Sequence, residues 1–321
     1  MLNDFYSMPL HGVACDVLGS KSQQHNMPYQ LLLNFHSITE STLGKKIWAL
    51  TDKGEKYRTE LNLFKCATSV SLKVNCEGQG IFKFTGNQLT IDWQNTGTGS
   101  AHYFQTVGLA IWLELNQVLC IHGNALEYKG QAIGLVAPSG TGKSTLSAKL
   151  CESGFSWMTD DMMALHPENN GEQFRIYPSW PVARMWPDSV EAALNVDHVS
   201  LNKVHSGFNK RVVTLEGNLS AGKTSQLLST VYVLNRVTDA NKICEIKSVK
   251  GSRAIILLLQ NSILGDAYRA LGVEKSRIAT LSKLLDKINI KEVTYCSGSN
   301  NLNIVKSKIL EDLDKHYQHS K

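Results

Sequence analysis

The sequence predicts an α/β protein in which a small β-rich domain, residues 1–100, precedes a mixed α/β domain, residues 101–321. Three observations predict it. The first hundred residues consist of short β-leaning runs separated by turns rich in Gly, Asn and Lys. An apolar run, a glycine-rich loop and a helix-forming run follow one another from Gln131 to Ser153. Two amphipathic patterns then close the chain, about Ser276–Ile288 and Asn303–His316. A length of 321 residues also suits two domains.

In order, strands are expected at Tyr29–Phe35, Lys46–Leu50, Ser69–Val74, Gly80–Thr85 and Leu89–Trp93. Asn95–Ser100 reads as a linker. Ser100 then caps a helix whose apolar residues include Tyr103, Val107, Ala110, Ile111, Leu113 and Leu115. Val118–Tyr128 and Gln131–Ala137 read as two strands joined by a tight Lys129-Gly130 turn. A helix over about Lys143–Ser153 is closed by Gly154 and followed by a strand, Phe155–Thr159. Further strands are expected at Phe174–Tyr177, Arg211–Leu215, Ser229–Leu234 and Ala254–Leu259.

Composition narrows the function. The longest apolar run, Ala254–Leu259, falls far short of a bilayer span. Met1–Phe5 shows no basic region leading into an apolar stretch, which predicts no secretory signal and a cytoplasmic protein without a membrane partner. A net charge of +5 suits a small anionic ligand and is too weak to argue for nucleic acid. Seven scattered cysteines form no C-x-x-C and no Cys/His cluster at zinc spacing, so they read as reduced thiols.

Gln131–Ala137 followed by Pro138-Ser139-Gly140-Thr141-Gly142-Lys143-Ser144-Thr145 is the strongest motif: a phosphate-binding loop between an apolar strand and a helix. Gly140 and Gly142 let backbone N–H groups turn towards phosphate oxygens, and the helix N-terminus adds its dipole. Lys143 supplies a point charge for the β- and γ-phosphates, and Ser144 a hydroxyl ligand for Mg²⁺. Ala137 stands where the pattern's first Gly belongs, which costs little if its φ is negative. Gly217–Thr224 matches the pattern better as text. The Val-Tyr-Val core of the run that follows prefers a strand, so it is read as a surface turn.

Asp160 and Asp161 end the strand after the helix, 17 and 18 residues beyond Lys143. On a strand adjacent to the loop's own, both carboxylates would reach the phosphates. Phosphoryl transfer needs one carboxylate for Mg²⁺ or its waters and one to take the nucleophile's proton, and Asp160 and Asp161 are the candidates for the two roles. His122 lies 21 residues before Lys143, on the strand expected to pair with the loop's strand. Arg184, Lys210 and Arg211 are candidate phosphate clamps. Trp180 and Trp186 are candidate walls for the acceptor.

The series His122-Gly123, Ser139-Gly-Thr-Gly-Lys-Ser144 and Asp160-Asp161 resembles the catalytic core of bacterial HPr kinase/phosphorylase, with the same spacing at all three points. The resemblance covers about residues 120–165. It implies a P-loop kinase domain of the HPr kinase/phosphoenolpyruvate carboxykinase type, with His122 and Lys143 catalytic, Ser144 on Mg²⁺ and Asp161 as the base. The family's further Mg²⁺-binding segment has no counterpart. In its place stand Tyr177–Ser189 and Asn209-Lys210-Arg211, which resemble HPr-kinase-related proteins found near peptide-modification genes. The reading is therefore an ATP- and Mg²⁺-dependent kinase whose partner is a hydroxyl acceptor, a serine of a small protein or peptide. A small-molecule kinase of the same fold and a non-catalytic nucleotide switch stay open, as does a homo-oligomer.

Overall fold

The computed structural model describes residues 10–18, 27–53, 58–94, 96–205, 208–217, 219, 221–239 and 244–319. The architecture is mixed α/β. The first strands are β1 (Val13–Val17), β2 (Tyr29–Phe35), β3 (Lys45–Lys53), β4 (Arg58–Lys65), β5 (Val70–Asn75), β6 (Gln79–Thr85) and β7 (Gln88–Trp93). They form one sheet in the order β1-β2-β7-β6-β5-β4-β3. Burial alternates along it: Leu31 and Leu33, Leu61 and Leu63, Leu72 and Val74, Phe82 and Phe84 all point to one covered face. That face meets α1, in which Ser100–Tyr103, a π-helical turn Phe104–Gly108 and Leu109–Leu115 run on as one helix. Phe82 packs on Phe104 with ring centroids 6.2 Å apart, and Trp112 Nε1 donates to the Gly86 carbonyl.

Next come β8 (Leu119–Ile121), β9 (Gly123–Tyr128), β10 (Gln131–Val136), α2 (Lys143–Cys151), β11 (Ser156–Thr159), β12 (Met163–Glu168) and β13 (Gln173–Ile176). They are followed by β14 (Val182–Met185), α3 (Pro187–Leu194), β15 (Lys203–His205), β16 (Phe208–Thr214), β17 (Gln226–Val237) and β18 (Cys244–Ser248). The chain ends with α4 (Gly251–Gln260), α5 (Gly265–Leu271), α6 (Glu274–Leu285), β19 (Asn289–Cys296) and α7 (Ser299–His319). The second sheet runs β11-β9-β10-β17, continues through β19 to β18, and branches at the start of β17 into β13-β12-β8. Here β10, β17 and β19 are parallel; β11 runs the same way, because it and β10 are both antiparallel to β9. Their carboxyl ends therefore share one edge, where ligands of open α/β sheets collect. A small sheet β14-β16-β15 lies beside it.

Three expectations are corrected. Ala254–Leu259 is not a strand but the body of α4. Ala254 and Leu258, four residues apart, are buried in a core shared with Leu281 and Leu284 of α6, whereas Ile256 is exposed. A short apolar run does not distinguish strand from helix by itself, and packing decided it. Val118–Tyr128 is broken at His122: β8 pairs with β12, whereas β9 pairs with β10 and β11. Finally, β11 is not adjacent to the loop's strand, since β9 lies between them. Among the described residues, no helix is long and apolar enough to cross a membrane.

Candidate active site

The loop 137–144 leaves the carboxyl end of β10 and enters α2. Gly140 has φ +80° and Gly142 φ +105°, conformations that favour glycine. Ala137 is fully buried with a negative φ, so its methyl brings no backbone strain. Lys143 is buried, and its Nζ donates to the Ala137 carbonyl at 2.6 Å. Burial pulls its pKa down to about 8, with Lys210 adding to the fall against the pull of Asp161 and Asp160. The later match, Gly217–Thr224, does not open a helix. Ala221 bridges to Trp157 on β11, Gly222 N–H donates to the Trp157 carbonyl, and β17 follows. Residues 218 and 220 of that stretch lie outside the described residues.

A register shift between Trp157 and Thr159 ends β11, and Thr159 Oγ1 accepts the Ala125 N–H. The chain then turns through Asp161 at φ +63°. This separates the two carboxylates. Asp160 is buried: Oδ1 accepts from Ser144 Oγ at 3.3 Å and Oδ2 from the Arg184 backbone N–H at 2.7 Å. Burial, then the neighbouring Asp161, pushes its pKa up. Asp161 faces cations: His122 Nε2 and Lys210 Nζ each lie 3.8 Å from Oδ1, and Arg184 Nη1 lies 3.9 Å from Oδ2. Burial works to raise its pKa, but Lys210, Arg184, His122 and Lys143 together hold it below the usual carboxylate value. His122 is brought down to about 4, by burial first and then by Lys143 and Lys210, so its imidazole is neutral at pH 7.

His122 stands in the break between β8 and β9, where its N–H donates to the Asn261 carbonyl at 2.7 Å. Gly123 follows the break and opens β9. A Cβ there would lie 2.7 Å from the Leu135 carbonyl, so β9 can start that close to β10 only with glycine. His122, Ser139, Gly140, Gly142, Lys143, Ser144, Thr145, Asp161, Arg184 and Lys210 thus line one cleft. Pro138 and Thr141 complete the loop through backbone carbonyls, to Lys143 Nζ and Tyr295 respectively. Arg211 does not line the cleft; alternation along β16 turns it away from the face that Lys210 uses. Trp186 lines the cleft, with Lys210 Nζ 5.9 Å from its ring centroid, whereas Trp180 lines a neighbouring chamber.

No family model matches the chain, and no curated protein matches it. Among solved structures, the HPr(Ser) kinase/phosphatase from Coxiella burnetii is similar at 12% identity over 63% of this chain and 94% of that one, with a TM-score of 0.35. At that score the likeness assigns no activity.

Four residues join the site without having been singled out in the sequence. Arg236, near the carboxyl end of β17, lines the cleft. Opposite it on β19, Tyr295 donates its hydroxyl to the Thr141 carbonyl at 3.0 Å. Asn124 is buried; its Oδ1 accepts the Asp161 N–H and its Nδ2 donates to Ser147 Oγ on α2. Gln105 Oε1 accepts from Arg184 Nη2 at 3.0 Å. Only Asn124 carried a local signal, a polar residue inside an apolar strand next to His122-Gly123.

The arrangement has clear chemical capacities. Lys143, Arg184, Lys210 and Arg236 outweigh the two aspartates, which suits a polyphosphate. Ser144 Oγ beside Asp160 Oδ1 is an oxygen pair of the kind a hard divalent cation takes.

Proposed function

We propose that the protein is an ATP- and Mg²⁺-dependent phosphotransferase acting on a hydroxyl of a peptide or small protein. In this reading residues 101–321 are a P-loop kinase domain of the HPr kinase/phosphoenolpyruvate carboxykinase type, and residues 1–100 a small β-rich domain in front of it. The observation that carries the reading is the convergence of Lys143, His122, Arg184, Lys210 and Asp161 on one glycine-rich loop.

Loop N–H groups, the α2 N-terminus and Lys143 bind the polyphosphate. Arg184, Lys210 and Arg236 balance its outer charge. Ser144 and Asp160 would hold Mg²⁺, which would supply charge neutralisation for the phosphates. His122, as a neutral imidazole, donates a hydrogen bond to a phosphoryl oxygen. Asp161 accepts the acceptor's proton at a carboxylate oxygen while the new O–P bond forms. The bond from the γ-phosphorus to the bridging oxygen breaks, and ADP leaves with that electron pair.

The test is incubation with γ-labelled ATP, Mg²⁺ and an extract of the organism's own cells, followed by mass spectrometry of labelled species. The expected result is label on a hydroxyl group. Tight nucleotide binding with no labelled acceptor would favour a switch instead.

A further inference from the structure

A second chamber adjoins the cleft behind Asp160 and Arg184, both of which line it. Its volume is about 200 Å³, enough for roughly a dozen non-hydrogen atoms at one water-sized sphere each. Its walls are partly apolar, with Trp180 and Val182 from one chain segment and Val204 from another. Its polar lining is unusual. His11 is buried, and its Nδ1 meets no partner; Gln105 Nε2 is likewise buried and unpartnered. An unpaired buried nitrogen costs about 1–3 kcal/mol, so the fold holds these two side chains at a cost, as functional sites do. Both residues also sit on irregular backbone. His11 has φ +51°, and Gln105 lies in the π-helical turn of α1. Such strain and π turns concentrate where side chains are held for binding.

We propose that this chamber is the acceptor pocket. It seats an amino-acid-sized unit that carries a hydroxyl, a short apolar body and a carbonyl or carboxylate, either free or as one residue of a peptide. The apolar body lies along Trp180 and the valines. The carbonyl group lies towards the part of the lining that His11 and Gln105 supply. Arg184 spans the two spaces, with its backbone N–H on Asp160, Nη1 facing Asp161 and Nη2 on Gln105. An acceptor seated here thus lies against Arg184, which also lines the cleft and faces Asp161.

The inference rests on the kinase reading, and one experiment separates the two. Val204→Phe and Val182→Phe narrow the chamber from different strands and replace none of the residues assigned to the nucleotide. Each variant and the unaltered protein are incubated with γ-labelled ATP, Mg²⁺ and either the dialysable or the retained fraction of cell extract. Binding of a fluorescent ATP analogue is titrated in parallel. The expected result is label transfer by the unaltered protein, reduced more than tenfold in both variants, with analogue affinity within twofold. The labelled fraction tells a free metabolite from a peptide residue. Transfer that survives in both variants would overturn the pocket and leave the kinase reading standing. Absence of label from either fraction with the unaltered protein overturns both.

Discussion

Asp160 and Asp161 are adjacent in sequence and opposite in electrostatics. One is buried against Ser144 and a backbone N–H and has its pKa raised; the other faces His122, Lys210 and Arg184 and has its pKa lowered. Pairs pushed apart in this way divide chemical roles. Asp161→Asn is expected to keep nucleotide affinity within a few-fold and to lower turnover by about 10²–10⁴, the usual worth of general-base catalysis. Asp160→Asn is expected instead to raise the Mg²⁺ concentration needed for half-maximal rate. Steady-state rates against ATP and Mg²⁺ check both, and wild-type turnover in Asp161→Asn would remove it as the base. The local residues of this site were legible because loop, strand end and His122 lie within about forty residues of chain. Arg236 and Tyr295 were not, since only the order of β10, β17 and β19 brings them to the loop.

At the scale of elements, the site is a strand, a left-handed loop and a helix start. Gly142 at φ +105° is the joint between them. A Cβ there would meet only Tyr295 Oη at 3.8 Å, so substitution acts through backbone strain rather than collision. Gly142→Ala is expected to cost roughly 1–2 kcal/mol of loop geometry, or about 5–30-fold in nucleotide affinity. Titration with a fluorescent ATP analogue checks this, and unchanged affinity would mean that the loop does not bind phosphate in this shape. The elements were legible wherever turn chemistry and period agreed, as at β2, whose expected bounds are those observed. They were not legible where tertiary packing set the period, as in α4. Nor could the chain's local pattern reveal that β8 and β9 part at His122 to join different neighbours.

Across the whole molecule, the two large sheets meet at a seam of buried histidines. His166 on β12 makes a 2.7 Å hydrogen bond between its Nε2 and the His11 carbonyl, and its ring lies 5.6 Å from that of Tyr29 on β2. Burial lowers the pKa of His166 from 6.5 to about 4; burial, then His166 and Arg184, lowers that of His11 to about 3. The folded values lie below the unfolded one, so the unfolded chain binds more protons between them. Stability is therefore complete above pH 6.5 and falls as pH drops towards 4, by roughly 2 kcal/mol per histidine at pH 5. Urea denaturation midpoints should decline across that window, and less steeply in His166→Gln. A midpoint that stays level from pH 7 to 5 would contradict the buried neutral pair.

The central claim is that one site per chain, at the carboxyl edge of β10, β17 and β19, binds MgATP through the earlier of two loops that match the phosphate pattern. Equilibrium titration with a fluorescent ATP analogue in Mg²⁺ tests it most directly, on the unaltered protein, Lys143→Ala and Lys223→Ala. The account predicts one nucleotide per chain, most affinity lost in Lys143→Ala, and a curve for Lys223→Ala that superimposes on that of the unaltered protein. Equal losses in both variants, or no Mg²⁺-dependent binding at all, would contradict it.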